Sequence, residues 1–101
     1  MTADEVRALV DEDVRRHWPP EMNWHGIQLE RCLLPQPELR TYRDRFSEDE
    51  VVQLWLVLQE VRGDESSYQI VFDEERETFG LATGGVVIGF YGSFVDTVAG
   101  M

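Results

Sequence analysis

The sequence predicts an α+β domain: an N-terminal helix, an antiparallel sheet of about five strands dominated by a meander over residues 51–91, and a short C-terminal helix. Three observations lead there. Apolar residues recur at helical spacing near the start, four strand-length apolar segments separated by turn signals fill the second half, and the pairings those turns dictate place apolar residues on a common face. With 101 residues the chain suffices for one core, so residues 1–101 are expected to form one domain.

Thr2 followed by Glu5 is a capping-box pattern, and Val6, Leu9, Val10, Val14 and Trp18 then repeat at helical spacing until Pro19-Pro20. The predicted helix spans residues 3–17. Residues 26–34 read as a strand with Ile27, Leu29 and Leu33 on one face, ended by Pro35 and Pro37. The following dozen residues, carrying Arg40, Arg43 and Arg45, read as an irregular connection to the acids Glu48, Asp49 and Glu50.

The meander comprises strands over 51–61, 67–74, 78–83 and 86–91, punctuated by Gly63-Asp64, Glu75-Arg76 and Gly84-Gly85. A two-residue Gly84-Gly85 turn sets Thr83 opposite Val86, Leu81 opposite Ile88 and Phe79 opposite Phe90. The Glu75-Arg76 tip aligns Phe72 with Phe79 and Ile70 with Leu81, and the 62–66 loop aligns Leu58 with Ile70 and Leu56 with Phe72. One face then holds Leu54, Leu56, Leu58, Ile70, Phe72, Phe79, Leu81, Ile88 and Phe90. The other, with Trp55, Val57, Val71, Ala82 and Val87, is also largely apolar and should be partly covered. Ser93, with Asp96 three residues on, opens a two-turn helix bearing Phe94, Val98 and Met101.

Twenty residues are Asp or Glu against nine basic ones, all of them Arg, for a net charge of −11. A hydrophobic content of 43% separates this chain from disordered acidic tails. The charge argues against direct binding to nucleic acid or to anionic membrane, both of which call for a cationic patch, and favours a basic protein partner. One cysteine, Cys32, permits no intrachain disulfide, and neither a signal-peptide stretch nor a spanning segment is visible. A reduced, cytoplasmic protein is expected.

No catalytic, cofactor or metal signature is present. His17, His25 and Cys32 match no zinc spacing, His17 reads as a helix C-terminal cap, and Cys32, inside the predicted strand, reads as a buried structural thiol. The glycines between Gly80 and Gly92 lack a phosphate-loop pattern. Gly80 and Gly89, predicted side by side, outline a trough walled by Trp55 and Tyr91, to be filled either by a small ligand or by a helix or the ring of Trp18 or Trp24.

The acids are more informative. The predicted registers draw Glu48, Asp49, Glu50, Asp73, Glu74, Glu75 and Glu77 to one end of the sheet, where they either dock a basic surface or form a solvated tip neutralised by Arg40, Arg43, Arg45 and Arg76. The leading expectation is a non-catalytic acidic protein-binding domain of the immunity, inhibitor or nucleic-acid-mimicking kind. That plan is common among bacterial immunity proteins, an analogy of class alone. The alternatives are a small-ligand domain or enzyme using the Gly80/Gly89 trough, and a homo-oligomeric module joined through the uncharged 86–91 strand, which as an edge would invite pairing unless the 26–34 strand covers it.

Overall fold

The computed structural model describes residues 1–17, 29–48 and 50–101. Helix α1 (Ala3–His17) leads to a one-turn helix α2 (Leu29–Cys32), then strands β1 (Leu33–Asp44), β2 (Glu50–Gln59), β3 (Gln69–Asp73), β4 (Thr78–Thr83) and β5 (Val86–Gly92), and helix α3 (Phe94–Ala99). The architecture is α+β. Among the described residues, no helix is long and apolar enough to cross a membrane.

The helix boundaries follow from their caps. The Thr2 amide donates to Glu5 Oε1 at 3.0 Å and the Glu5 amide to Thr2 Oγ1 at 3.2 Å, so two orphan donors at the start of α1 are each satisfied by the other residue's side chain. Ser93 Oγ accepts from the Asp96 amide at 3.1 Å, while Asp13 of α1 accepts the Val95 amide at 2.8 Å. A residue of the first helix thus caps the last, fixing the two against each other.

The strands pair in chain order and close into a barrel. Consecutive pairs are antiparallel, but β1 meets β5 in parallel through Arg43↔Val86 and Asp44↔Val87. Parallel closure is forced, because in an up-and-down meander the first and fifth strands run the same way. The ring is also strongly staggered: the rungs Val87↔Ala82, Gln69↔Gln59 and Leu58↔Leu33 lead round to the start of β1, whereas β5 itself joins β1 at its end. This stagger is why β1 is the longest strand.

The first strand therefore differs from its sequence prediction. Of the predicted 26–34 segment, residues 26–28 lie outside the described residues, 29–32 form α2 with Cys32 as its last residue, and the strand begins at Leu33. It runs through Pro35 and Pro37 and through the segment read as a connection. The prolines are tolerated because Leu33 opposes Leu58 and Glu38 opposes Leu56, leaving Leu34–Pro37 bulged against Val57 where no ladder donor is required. The 86–91 strand is covered at Val86–Val87 by the end of β1; of the segment expected to cover it, the described residues 29–34 do not pair with β5.

In the meander, Thr83↔Val86, Phe72↔Phe79, Ile70↔Leu81 and Leu58↔Ile70 stand as predicted. Gly84 and Gly85 both take positive φ, 58° and 79°, as a tight primed turn requires. Bulges shift the remaining pairs: Leu56 faces Val71, Leu81 faces Gly89, Gly80 faces Phe90 and Phe79 faces Gly92. Each one-residue slip exchanges faces.

Two apolar layers result. Leu34, Tyr42, Leu54, Leu56, Val71, Ala82 and Val87 form the barrel interior, with Val52 and Phe90 at its margin. Val57, Leu58, Ile70, Phe72, Phe79 and Leu81 face outward under Val6 and Val10 of α1 and Phe94, Val95 and Val98 of α3. Leu54, Leu56 and Phe90 thus leave the single face predicted for them. Inside the barrel, the Tyr42 hydroxyl donates to Gln69 Oε1 at 2.8 Å, and burial pushes the phenol well above its usual range.

At the closing rungs Asp44 is only 1% exposed, yet its carboxylate is fully employed. It accepts from the Phe46 amide at 3.0 Å and Ser47 Oγ at 3.3 Å, capping a 3₁₀ turn (Arg45–Ser47), and from Arg76 Nη1 at 3.3 Å. Arg76 reaches it from the β3–β4 tip with its guanidinium over the Phe90 ring, 5.2 Å from the centroid. Asp44→Ala should cost about 2–4 kcal/mol, since it orphans these donors, and Asp44→Asn, which keeps an acceptor for Phe46, should cost less. Urea unfolding of the two variants checks this ordering.

Candidate functional site

The β3–β4 tip determines where the acids go. Asp73 Oδ1 accepts the amides of Glu75 at 3.0 Å and Arg76 at 3.3 Å, and Glu77 adopts a left-handed φ of 51° before β4 begins. This folds 74–77 into a tight four-residue turn on the Asp73↔Thr78 rung, one rung wider than a two-residue Glu75-Arg76 loop.

Strand β2 extends past that tip. Its residues from Trp55 onward pair with β3, whereas Glu50–Leu54 pair with β1 alone. Between this unaccompanied stretch and the tip lies a groove of about 550 Å³, lined by Glu50, Val51, Val52, Gln53 and Leu54 on one wall and Asp73, Glu74, Glu75 and Arg76 on the other, with Leu39 beside them. Four carboxylates thus share one concavity with a single guanidinium.

Of the seven acids singled out in the sequence, Glu50, Asp73, Glu74 and Glu75 line this groove. Glu48 is exposed at the end of the 3₁₀ turn in a left-handed conformation, and Asp49 lies outside the described residues. Glu77 faces elsewhere, into a cavity of about 490 Å³ beneath α1 that it shares with Glu12, Asp13, Arg16 and His17. The tip therefore divides its acids between two surfaces.

Within the groove the carboxylates are not equivalent. Asp73 is committed to its turn and to Arg76, 3.7 Å from its Oδ2. Glu74 accepts from the Trp55 indole N–H at 3.1 Å and pairs with the N-terminal ammonium at 3.2 Å. The indole first, then the ammonium, holds its carboxyl below the ordinary 4.5. The side-chain carboxylates of Glu50 and Glu75 have no hydrogen bond or ion pair among the described residues.

The arginines expected to neutralise this end behave differently from one another. Arg76 does so, through Asp73 and Asp44. Arg40 turns to Glu38 and Glu65, at 2.7 and 2.9 Å, and Arg43 and Arg45 are exposed without an ion pair among the described residues. The apolar components of the groove went unnoticed in the sequence. Val51 and Leu39 are 68% and 49% exposed, and Leu39 belongs to the segment read as irregular. The alternation Leu39, Thr41, Arg43 was the available signal for a strand with an outward face.

The Gly80/Gly89 trough has a different geometry from the one predicted. The glycines occupy adjacent rungs, not opposite positions, because β5 is bulged. A Cβ on Gly80 would meet the Phe90 ring at 2.8 Å, so Phe90 fills that space, and Gly89 is covered by the Tyr91 ring at 3.1 Å. Trp55 packs in the helix-covered layer, away from the interior margin where Phe90 lies. Trp18 and Trp24, considered as fillers, lie outside the described residues, as does His25.

His17 ends α1 exposed, with no side-chain hydrogen bond among the described residues, and Cys32 is buried with its thiol donating to the Glu60 carbonyl at 3.4 Å. No group of three or more His, Cys, Asp or Glu placed to hold a metal occurs among the described residues.

Comparison with known proteins finds no matching family model, no matching curated protein and no matching solved structure.

The Glu74 contacts carry a pH signature. Because the folded-state carboxyl titrates below its unfolded value, its contribution to stability is present above pH 4.5 and is lost as pH falls through the folded value. Trp55→Phe should raise the Glu74 value toward 4.5 while leaving the ammonium pair in place. An NMR titration of the Glu74 carboxyl carbon checks it, and an unchanged value would show that the indole does not hold the carboxylate.

Proposed function

We propose that this protein is a non-catalytic binding domain whose acidic groove docks a basic surface of a protein partner. The observation that carries this reading is the convergence of Glu50, Asp73, Glu74 and Glu75 on one concavity between β2 and the β3–β4 tip, where among the described residues Arg76 and the N-terminal ammonium oppose them. The exposed apolar side chains of Val51 and Leu39 lower the local dielectric and concentrate that field, which steers a cationic partner and sets its orientation. An exposed apolar centre with a charged rim also matches the anatomy of protein interfaces. The same groove in an immunity, inhibitor or nucleic-acid-mimicking protein would present carboxylates to a partner's arginines and lysines.

The two unpaired acids provide the test. Fluorescein-labelled octaarginine, used as a purely cationic probe, should bind with an affinity that falls steeply between low and moderate salt. Glu50→Arg with Glu75→Arg should weaken binding about tenfold or more at low salt. The control reverses Glu30 and Glu60, near the opposite end of β2, and should have a much smaller effect. Equal losses from both pairs would mean that net charge alone attracts the probe, which would overturn the groove as the docking site.

A further inference from the structure

The groove has a second property, independent of its charge. Its first wall is five consecutive residues, Glu50 to Leu54, and consecutive strand residues point to opposite faces of a sheet. What all five share along one line is therefore the backbone edge. That edge pairs with β1 on one side only, β3 begins its pairing at Trp55, and no other backbone or side-chain group among the described residues bonds to residues 50–54 on the free side. An interior strand of a closed barrel thus presents about 17 Å of open hydrogen-bonding edge.

Barrel geometry explains why it is open. The tip curls away after Asp73, so the lane that β3 would occupy next to Glu50–Leu54 is vacant, and that lane is the groove. Its volume of about 550 Å³ suits a short segment of chain in extended form. Nothing in the lane blunts the edge in the usual ways, since 50–54 contain no proline or lysine and Glu50 is the sole charge.

Resting on the docking role proposed above, we infer that the partner segment is an extended basic peptide that adds as a strand to the free edge of β2, continuing the line of β3 beyond Asp73. Main-chain hydrogen bonds to Glu50–Leu54 supply the register, and alternate side chains divide between two environments. One set lies over Val51 and Leu39 on the outer face; the other is drawn by Glu50 and by the carboxylates of the tip. A segment alternating apolar and basic residues satisfies both.

The experiment uses the heptapeptide Arg-Val-Arg-Val-Arg-Val-Arg and two derivatives, N-methylated on all valine amides or on all amides of the internal arginines. In strand addition only one alternating set of amides faces β2. One derivative should lose about tenfold or more in affinity and the other should bind like the parent. In parallel, hydrogen exchange followed by NMR should show amides within 50–54 that exchange quickly in the free protein becoming protected by the parent peptide. Retained affinity in both derivatives, or loss in both without protection of 50–54, would overturn strand addition while leaving a salt-sensitive docking groove intact. Failure of the parent peptide to bind, or binding indifferent to Glu50→Arg with Glu75→Arg, would overturn the docking role as well.

Discussion

Five strands in a meander end running in the same direction as they began, so the sheet closes only by a parallel seam, and the rest of the molecule depends on that seam. It consists of two rungs, Arg43↔Val86 and Asp44↔Val87. So short a ladder holds because it is braced from both sides. The Arg43 amide bonds the Gly85 carbonyl at 2.9 Å, which ties the Gly84-Gly85 turn to β1, and Asp44 gathers the 3₁₀ turn and Arg76 around one buried carboxylate. The charge would be costly to bury alone; the Phe46 amide, the Ser47 hydroxyl and the half-exposed Arg76 guanidinium make it tolerable.

The same closure sets up the groove. To bring the end of β1 to the start of β5 the strands must be staggered, and stagger carries β2 beyond the end of β3. The overhang is the five-residue edge from Glu50 to Leu54. Arg76 links the two features, since the side chain that reaches Asp44 at the seam also forms part of the groove's far wall. Mutating Arg76 would therefore disturb closure as well as surface charge, which makes Glu50 and Glu75 the cleaner positions at which to probe binding.

The acidic composition resolves into three roles. Asp73 and Asp44 are structural, Glu74 is held by Trp55 and the N-terminus, and Glu50 and Glu75 are left to solvent or to a partner. Glu77, adjacent in sequence, faces the cavity beneath α1 because its left-handed backbone turns the chain at that point. Sequence proximity within a tip does not imply a common surface when one residue of the turn reverses the chain.

Local chemistry determined much of this protein from sequence alone. The Thr2–Glu5 box and the Ser93 cap set two helices, Gly84-Gly85 set the β4–β5 turn, and the Asp73–Glu77 tip set Phe72 against Phe79, because each depends on residues within a few positions of one another. The convergence of Glu50 with Asp73, Glu74 and Glu75 was also legible, as a consequence of strand order. Only the tertiary structure decided the rest. Bulges at Val57 and around Gly89 slip the register by one residue and send Leu54 and Leu56 to the interior and Phe90 to its margin, and no turn residue announces them. Pro35 and Pro37 read locally as a strand end, yet a twelve-residue β1 passes through them because the stagger of a closed barrel demands a long first strand, and the bulge opposite Val57 frees those positions from donating. Closure is a property of the whole ring, so the seam at Asp44 and the open edge of β2 emerge only when all five strands are in place.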